Sequence, residues 1–588
     1  MNTKVAEKPI TKLMFRRTII AAFFAPVLIL HALAADAPKE VPDFALLDTR
    51  GRYYQLKRND AQVVVLFFTA NGCPVARQSI SRLKQIQEDF AERGARVWMI
   101  NSNTADDRAS IRKEAEEFNL GFLPVLIDET QGVAAMLGVQ RTGTAICIET
   151  KNFSVIYQGA IDDQMVEGTQ KPAPTQQYLR DALSQHFAGQ PVANARTTAR
   201  GCLITFSKDQ ISYSKQVAPI LAQKCFNCHS SGNIGPIKFE NYKKVHGVAD
   251  MIQEVVLSRR MPPWHADRHY GAFVNDSSLT LDESRTLLRW IEQGAKKDDG
   301  EDTLSTATPP STDWALGKPD AIISLPAVEK VPATGVLDYR HIKVKAPFEE
   351  DVWIKGVVAK PGNTRVVHHI IVRVRAPGQK GDNPDDAFLI GWAPGSPEIF
   401  FPEGTGKFIK KGSILDFEMH YTTSGRDEED QSSIGVYLHK EKPAMQFKTH
   451  AAYNTDFEIP PNVSSHAAMG KYVFEKDSYL FEMSPHMHLR GASFKFEALY
   501  PNGKRETLLS VPNYDFKWQH TYSLKQPKRM PKGTWIICTG TFDNSSRNPA
   551  NPNPNIPVYW GDQSFNEMFI GFMGVAAIPK DDKSVAAR

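Results

Sequence analysis

Gln62-Val63-Val64-Val65-Leu66-Phe67-Phe68-Thr69-Ala70-Asn71-Gly72-Cys73-Pro74-Val75-Ala76 joins a β-branched apolar run to the amphipathic stretch Ala76 to Arg93 through a short Asn-Gly turn. A run of this kind reads as a buried strand, and the stretch after it as a helix packed on the sheet. The alternation continues downstream. Arg96 to Ile100 reads as a strand, Asp107 to Phe118 as a helix, and Leu123 to Ile127, Thr144 to Glu149 and Ser154 to Ala160 as further strands. That order predicts an α/β sheet with helices on its faces. At the first strand-to-helix junction stands Cys73, where the helix dipole favours the thiolate and lowers its pKa.

On these residues the segment resembles the thioredoxin-like redoxins, of the peroxiredoxin and thiol-disulfide reductase type, over residues 38–189. Three positions depart from that pattern. Ala76 stands where the second cysteine of C-x-x-C falls, Ala70 where a peroxiredoxin has a hydroxyl residue, and Gly143 of Arg141-Thr142-Gly143-Thr144 where a cis-proline is expected. Two readings stay open for Cys73: disulfide exchange with the distant Cys202, or a redoxin domain with a purely structural role. Cys147 lies inside an apolar strand and reads as a small buried hydrophobe.

Further along, two stretches read as linkers. Residues 190–204 are small and polar, and residues 298–312 are acidic and then rich in Ser, Thr and Pro, a composition unable to bury a core. Between them, residues 205–297 form a mostly helical block holding Lys224-Cys225-Phe226-Asn227-Cys228-His229. C-x-x-C-H is the attachment signature of a c-type haem: both thiols are joined to the porphyrin and His229 is the proximal ligand. A zinc site is the alternative, but no second ligand pair follows at comparable spacing. Val245 to Arg259 reads as an amphipathic helix ended by Met261-Pro262-Pro263-Trp264-His265. The prolines place Met261 on an irregular loop. In this arrangement the block resembles the monohaem cytochromes c, which implies Met261 as the distal ligand, with His265 as second choice.

The N-terminus suits such a cofactor. Lys4, Lys8, Lys12, Arg16 and Arg17 precede the apolar run Thr18 to Leu33, and Ala32-Leu33-Ala34 precedes Ala35, so residues 1–34 read as a cleaved signal peptide. The expectation is a periplasmic or otherwise exported protein with no stable membrane span after cleavage. Arg16-Arg17 hints at the twin-arginine route, but haem attachment to an unfolded exported chain favours the general secretory one. Removing this segment, with its five Lys/Arg and one Glu, brings the formal net charge from +4 to zero. No charge argument for nucleic acid remains. Six cysteines in 588 residues, two of them in the haem motif, are too few for a disulfide scaffold.

Residues 313–580 change character, with short alternating strands, many turns and little helical periodicity, and so predict all-β sandwiches. Histidines recur as Val367-His368-His369-Ile370, Met419-His420-Tyr421 and Pro485-His486-Met487-His488, followed by Asn566-Glu567-Met568. In His-x-His both rings face one side of a strand and can grip one metal. Met568 would complete a soft two-imidazole, one-thioether set that selects copper. His368 and His369 point to opposite faces of a regular strand, so their joint use with His420 requires a bulge or a strand end.

In this order the motifs resemble the copper type II, ascorbate-dependent monooxygenases, the family of peptidylglycine α-hydroxylating monooxygenase and dopamine β-monooxygenase. The resemblance implies two tandem jelly-roll-like sandwiches, 313–445 and 446–580, with a solvent-filled cleft between two coppers. It implies His368, His369 and His420 as ligands of an electron-transfer copper, and His486, His488 and Met568 as ligands of the copper that handles dioxygen. Ser484, Ile570 and Phe572 stand where peptide-binding members carry Arg, Asn and Tyr, so a peptide carboxylate lacks its clamp. An apolar pocket near Ile570 and Phe572 points instead to a small hydrophobic substrate. The whole predicts a monooxygenase acting on a C–H bond with dioxygen, its electrons passing from an external donor through one covalent haem c to two coppers. The alternative is a periplasmic thiol-disulfide and electron-transfer protein whose sandwiches bind copper without hydroxylating.

Overall fold

The computed structural model describes Met1 and residues 40–166, 169–231, 233–309, 314, 316–335, 337–379, 388–393 and 400–579. The signal-peptide expectation therefore lies outside the described residues. Among the described residues no helix is long and apolar enough to cross a membrane.

Seven strands form the N-terminal sheet, in the order Tyr53–Gln55, Ala45–Asp48, Val125–Ile127, Ala95–Asn101, Val63–Thr69, Ala145–Glu149 and Ser154–Gly159. Val63–Thr69 is central, parallel to Ala95–Asn101 and antiparallel to Ala145–Glu149. Strand periodicity sends Val63, Val65 and Phe67 into one core cluster and Val64, Leu66 and Phe68 into another. Both faces are apolar, so all seven residues of this strand are buried. The helix Pro74–Phe90 follows, with Pro74 at its first position.

The segment 190–204 is not the free linker its composition suggests. Its backbone runs beside the edge strand Ser154–Gly159, with Gln158 N donating to Ala195 O and Thr197 N to Gln158 O. It then pairs with Arg141, and Ile204 is buried in the sheet's second core cluster. Backbone amides and one apolar anchor hold it, features that average polarity does not report.

The helical block contains Ala218–Lys224, Phe226–His229, Tyr242–His246, Ala249–Leu257 and Leu281–Glu292. The single helix expected over Val245 to Arg259 is broken at Gly247, which caps Tyr242–His246. Part of the second expected linker also packs here. Leu304, on the short helix Thr303–Thr306, is buried, and the Asp302 carboxylate accepts from the Tyr213 hydroxyl at 2.8 Å.

The C-terminal region is mostly β-sheet. Its first half packs the four strands Arg340–Lys345, Ile414–Tyr421, Val367–Arg375 and Phe388–Trp392 against a larger sheet around one core. Its second half encloses a separate core. The halves are not independent sandwiches, because Thr405–Ile409 pairs in parallel with Met445–Asn454 and makes one continuous twelve-stranded sheet.

A loop from the helical block completes the second core. Trp264 and Phe273 are buried among its residues, with Trp264 4.7 Å from the Tyr522 ring. Val274 N donates to Ser523 O and Lys525 N to Ala272 O, so the loop adds an edge to the strand Tyr522–Met530. Arg108 of the redoxin domain reaches the same loop through a buried ion pair with Asp267, at 2.8 Å.

Candidate redox sites

The thiol site follows from the strand-to-helix junction. Gly72 adopts φ +73, a turn that brings Cys73 to the helix N-terminus. Cys73 is 2% exposed; its sulfur lies 3.0 Å from the Thr142 hydroxyl and 3.3 Å from the sulfur of Cys202. Burial pushes the Cys73 thiol up, but hydrogen bonds from Thr142, the Ala76 amide and Cys202 outweigh it and leave the pKa below the usual value. Cys202 is raised, by burial and then by its hydrogen bond to Cys73. Cys147 is fully buried, which raises its thiol pKa and keeps it protonated. Thr142 carries no sequence signal of its own; only the fold places it against the sulfur. Thr142→Ala should move the alkylation midpoint of Cys73 upward by ~1 unit, the worth of one hydrogen bond to a charged group. Iodoacetamide rates against pH give the readout, and an unchanged midpoint contradicts the assignment.

In the helical block, Cys225 opens the short helix Phe226–His229, and both motif cysteines are half-buried. His229 Nδ1 lies 2.7 Å from the Ile237 carbonyl, which fixes this nitrogen as the donor and Nε2 as the basic one. Phe239 stacks on the ring at 4.7 Å, and burial lowers its pKa. A neutral imidazole with Nδ1–H bonded to a carbonyl fits a proximal haem ligand. Met261 and His265 line one cavity, together with Leu46 and Tyr53 of the redoxin domain and Pro512 of the sandwich. Cys225, Cys228 and His229 do not line it.

Three histidines converge in the first half of the β region. The strand Val367–Arg375 carries a bulge between Val367 and His369 where it pairs with Ile414–Tyr421, and His369 lies opposite His420. The irregularity turns both His368 and His369 toward His420. His369 Nδ1 is 3.3 Å from that of His368 and 3.4 Å from that of His420. Donor atoms of all three lie within 4.8 Å of one another. Burial pushes His368 down to about 4 and His420 to about 3, and His369 well below its usual value. His369 Nε2 is buried without a hydrogen-bond partner. Three neutral imidazoles whose Nδ1 atoms face one another fit a bound metal cation.

His486 and His488 stand at the end of the strand Ser478–His486, with ring centres 5.3 Å apart. His486 Nδ1 donates to Gln519 at 2.6 Å and His488 Nδ1 to the Asn566 carbonyl at 3.3 Å, so both rings keep Nε2 for a ligand. Burial lowers His486 and takes His488 to about 3. The Glu567 carboxyl accepts from the amides of His488 at 2.8 Å and Arg490 at 2.6 Å, anchoring the His-x-His turn. His486 pairs with Ile570, and half-buried Met568 stands two residues before Ile570 and directly after Glu567, whose carboxyl holds the His488 amide. Two imidazoles and this thioether fit copper.

The two histidine groups are neighbours. Phe516, 8% exposed, lies 5.7 Å from the His368 ring, 6.1 Å from His420 and 5.8 Å from His488. An aromatic ring thus stands where the resemblance implied open solvent, because Phe516 belongs to the second core. The expected apolar wall takes the form of Phe572, stacked on Phe388 at 5.8 Å and 6.1 Å from His486. Phe516 and Gln519 sit in an irregular stretch with no periodic pattern, which hides them from sequence reading.

Comparison with known proteins addresses the N-terminal part. The profile of the AhpC/TSA family matches residues 38–163. The chain is 26% identical over 113 residues to the thioredoxin-like protein YneN of Bacillus subtilis, an alignment spanning 19% of this chain and 65% of that one. It is 25% identical over 162 residues to the thiol-disulfide oxidoreductase ResA of Geobacillus thermodenitrificans, covering 28% of this chain and 84% of the relative. A crystal structure of a conserved protein from Geobacillus kaustophilus, 28% identical, covers 30% of this chain and 94% of its own, with a TM-score of 0.27. Residues 38–163 are a thioredoxin-like redoxin domain of thiol-disulfide oxidoreductase type.

Proposed function

We propose that this chain is an exported copper-dependent monooxygenase that hydroxylates a C–H bond of a small apolar molecule. The observation that carries this reading is the convergence of the Nδ1 atoms of His368, His369 and His420, one phenyl ring away from His488 and its neighbour His486. When bound, the coppers would supply one-electron and dioxygen chemistry and a haem c on Cys225, Cys228 and His229 would supply an entry for electrons from an external donor. The protein's own groups do the rest. Gln519 and the Asn566 carbonyl fix ring tautomers, Glu567 fixes the His-x-His backbone, and burial keeps every imidazole neutral. Phe388 and Phe572 offer an apolar face beside His486 and exclude water from it. Met261 is the proposed distal haem ligand.

Metal content tests this directly. Copper loading under reducing conditions, followed by oxidation, should give two type II paramagnetic centres per haem, and dioxygen uptake should rise when small apolar substrates meet reduced haem. One centre or none, with no uptake, overturns the reading. That result favours a second one, a thiol-disulfide and electron-transfer protein with copper-binding sandwiches, supported by the redoxin domain and the close approach of Cys73 and Cys202.

A further inference from the structure

The redoxin domain lacks a neighbouring second cysteine, since Ala76 fills that position and is buried. The fold supplies another from about 130 residues away. Residues 201–204 lie along 140–142 as a short added strand. Arg141 and Leu203 form an antiparallel bridge, Thr142 N donates to Cys202 O at 2.9 Å and Ile204 N to Gln140 O at 2.9 Å. Cys202 N donates to the Thr142 hydroxyl at 2.8 Å, and the Arg141 guanidinium to Gly201 O at 3.0 Å. The approach is so close that a Cβ on Gly201 would stand 2.0 Å from Thr142 O, so only glycine fits. Extended peptides bind sheet edges in this way, through main-chain hydrogen bonds with side chains read beside them. The side chain at the recognition position is Cys202, exposed, with its sulfur 3.3 Å from that of buried Cys73.

We infer that Cys73 and Cys202 form a second redox site, in which residues 201–204 are held along 140–142 and Cys202 exchanges disulfides with a protein dithiol. Oxidation joins the two sulfurs at the expense of a protein disulfide, which takes up the two electrons and two protons and leaves as a dithiol. Reduction runs through the exposed atom. A partner thiolate attacks Cys202 Sγ, the Cys73–Cys202 bond breaks, and Cys73 departs as the thiolate that Thr142 and the Ala76 amide stabilise. The partner's second thiol then attacks the mixed disulfide and releases Cys202, so the partner leaves as a disulfide and this chain as a dithiol. Leu203, 65% exposed, gives the partner an apolar foothold beside the sulfur. The inference rests on the thiol geometry alone and stands or falls separately from the copper reading.

The full-length holoprotein, equilibrated in mixtures of reduced and oxidised dithiothreitol, quenched with acid and alkylated, is then peptide-mapped. A single intramolecular Cys73–Cys202 link, with two-electron dependence on the dithiothreitol ratio, is expected. Gly201→Val should lower the linked fraction relative to the dithiol by ~10-fold or more, because the side chain meets backbone. Cys202→Ser should leave Cys73 alkylated at every ratio. Free thiols at both positions throughout, or Cys73 linked only to a second chain, overturns the inference. Should Gly201→Val fail to fold, the wild-type link and the Cys202→Ser protein still decide.

Discussion

In a Met568→Ala protein, substrate-dependent dioxygen uptake falls by more than ~100-fold, the scale on which metal sites respond even to loss of outer partners. On the proposed reading, the haem would stay reducible and the three-histidine set would keep its metal. Met568 lies two residues before Ile570, the partner of His486, and directly after Glu567, so the substitution removes the one soft donor proposed there and leaves both imidazoles in place. Two imidazoles without a thioether hold copper(I) less selectively. Besides uptake, X-ray absorption on the copper-loaded, reduced protein should show a sulfur scatterer in wild type and none in the variant. Unchanged uptake with an unchanged sulfur signal removes Met568 from the site.

Lys407→Ala destabilises the protein by ~1–3 kcal/mol, as expected when buried acceptors lose a charged hydrogen-bond donor. Lys407 is 7% exposed, in the strand Thr405–Ile409 that joins the two halves of the β region. Its ammonium donates to the carbonyls of Phe388 at 2.6 Å and Leu389 at 3.2 Å and to the Thr449 hydroxyl at 3.3 Å. Phe388, Phe401 and Phe447 surround it at 5.3, 5.3 and 5.4 Å, and the half-buried Glu482 is the acidic group whose field acts on it. Alanine takes this donor away from two carbonyls and a hydroxyl. Lys407→Met with Glu482→Gln should recover part of the loss, which urea denaturation measures. Burial also holds Lys407 at about 8, against an ordinary 10.5. The folded protein therefore releases this proton first, and wild type gains stability as pH rises from about 8 toward 10.5, a slope absent from Lys407→Met. A single-variant loss below ~1 kcal/mol contradicts the burial argument.

The sequence shows most where a local rule governs. The seven apolar residues of Val63–Thr69 specify a central strand by themselves, and a cysteine followed by proline marks the start of a helix. The adjacency of His368 and His369 announces an irregularity, because no regular strand turns both inward. Features that depend on distant partners stay hidden. Thr142 matters because residues 201–204 lie on it, Phe516 because two histidine groups close around it, and Lys407 because Glu482 arrives from another strand. Polarity also misleads for 190–204, where main-chain bonds and polar side chains such as Thr142 and Thr197 hold the segment.

The loop carrying Trp264 and Phe273 bears on how such a chain comes to be. Redoxin, helical and β regions look like beads that gene fusion could string together, swap or discard. Two aromatic side chains of the middle bead fill the interior of the last, and Arg108 of the first grips the same loop through Asp267. Excising the middle bead opens a hole in its neighbour and strips Arg108 of its partner, so the middle region is not an interchangeable bead in this chain.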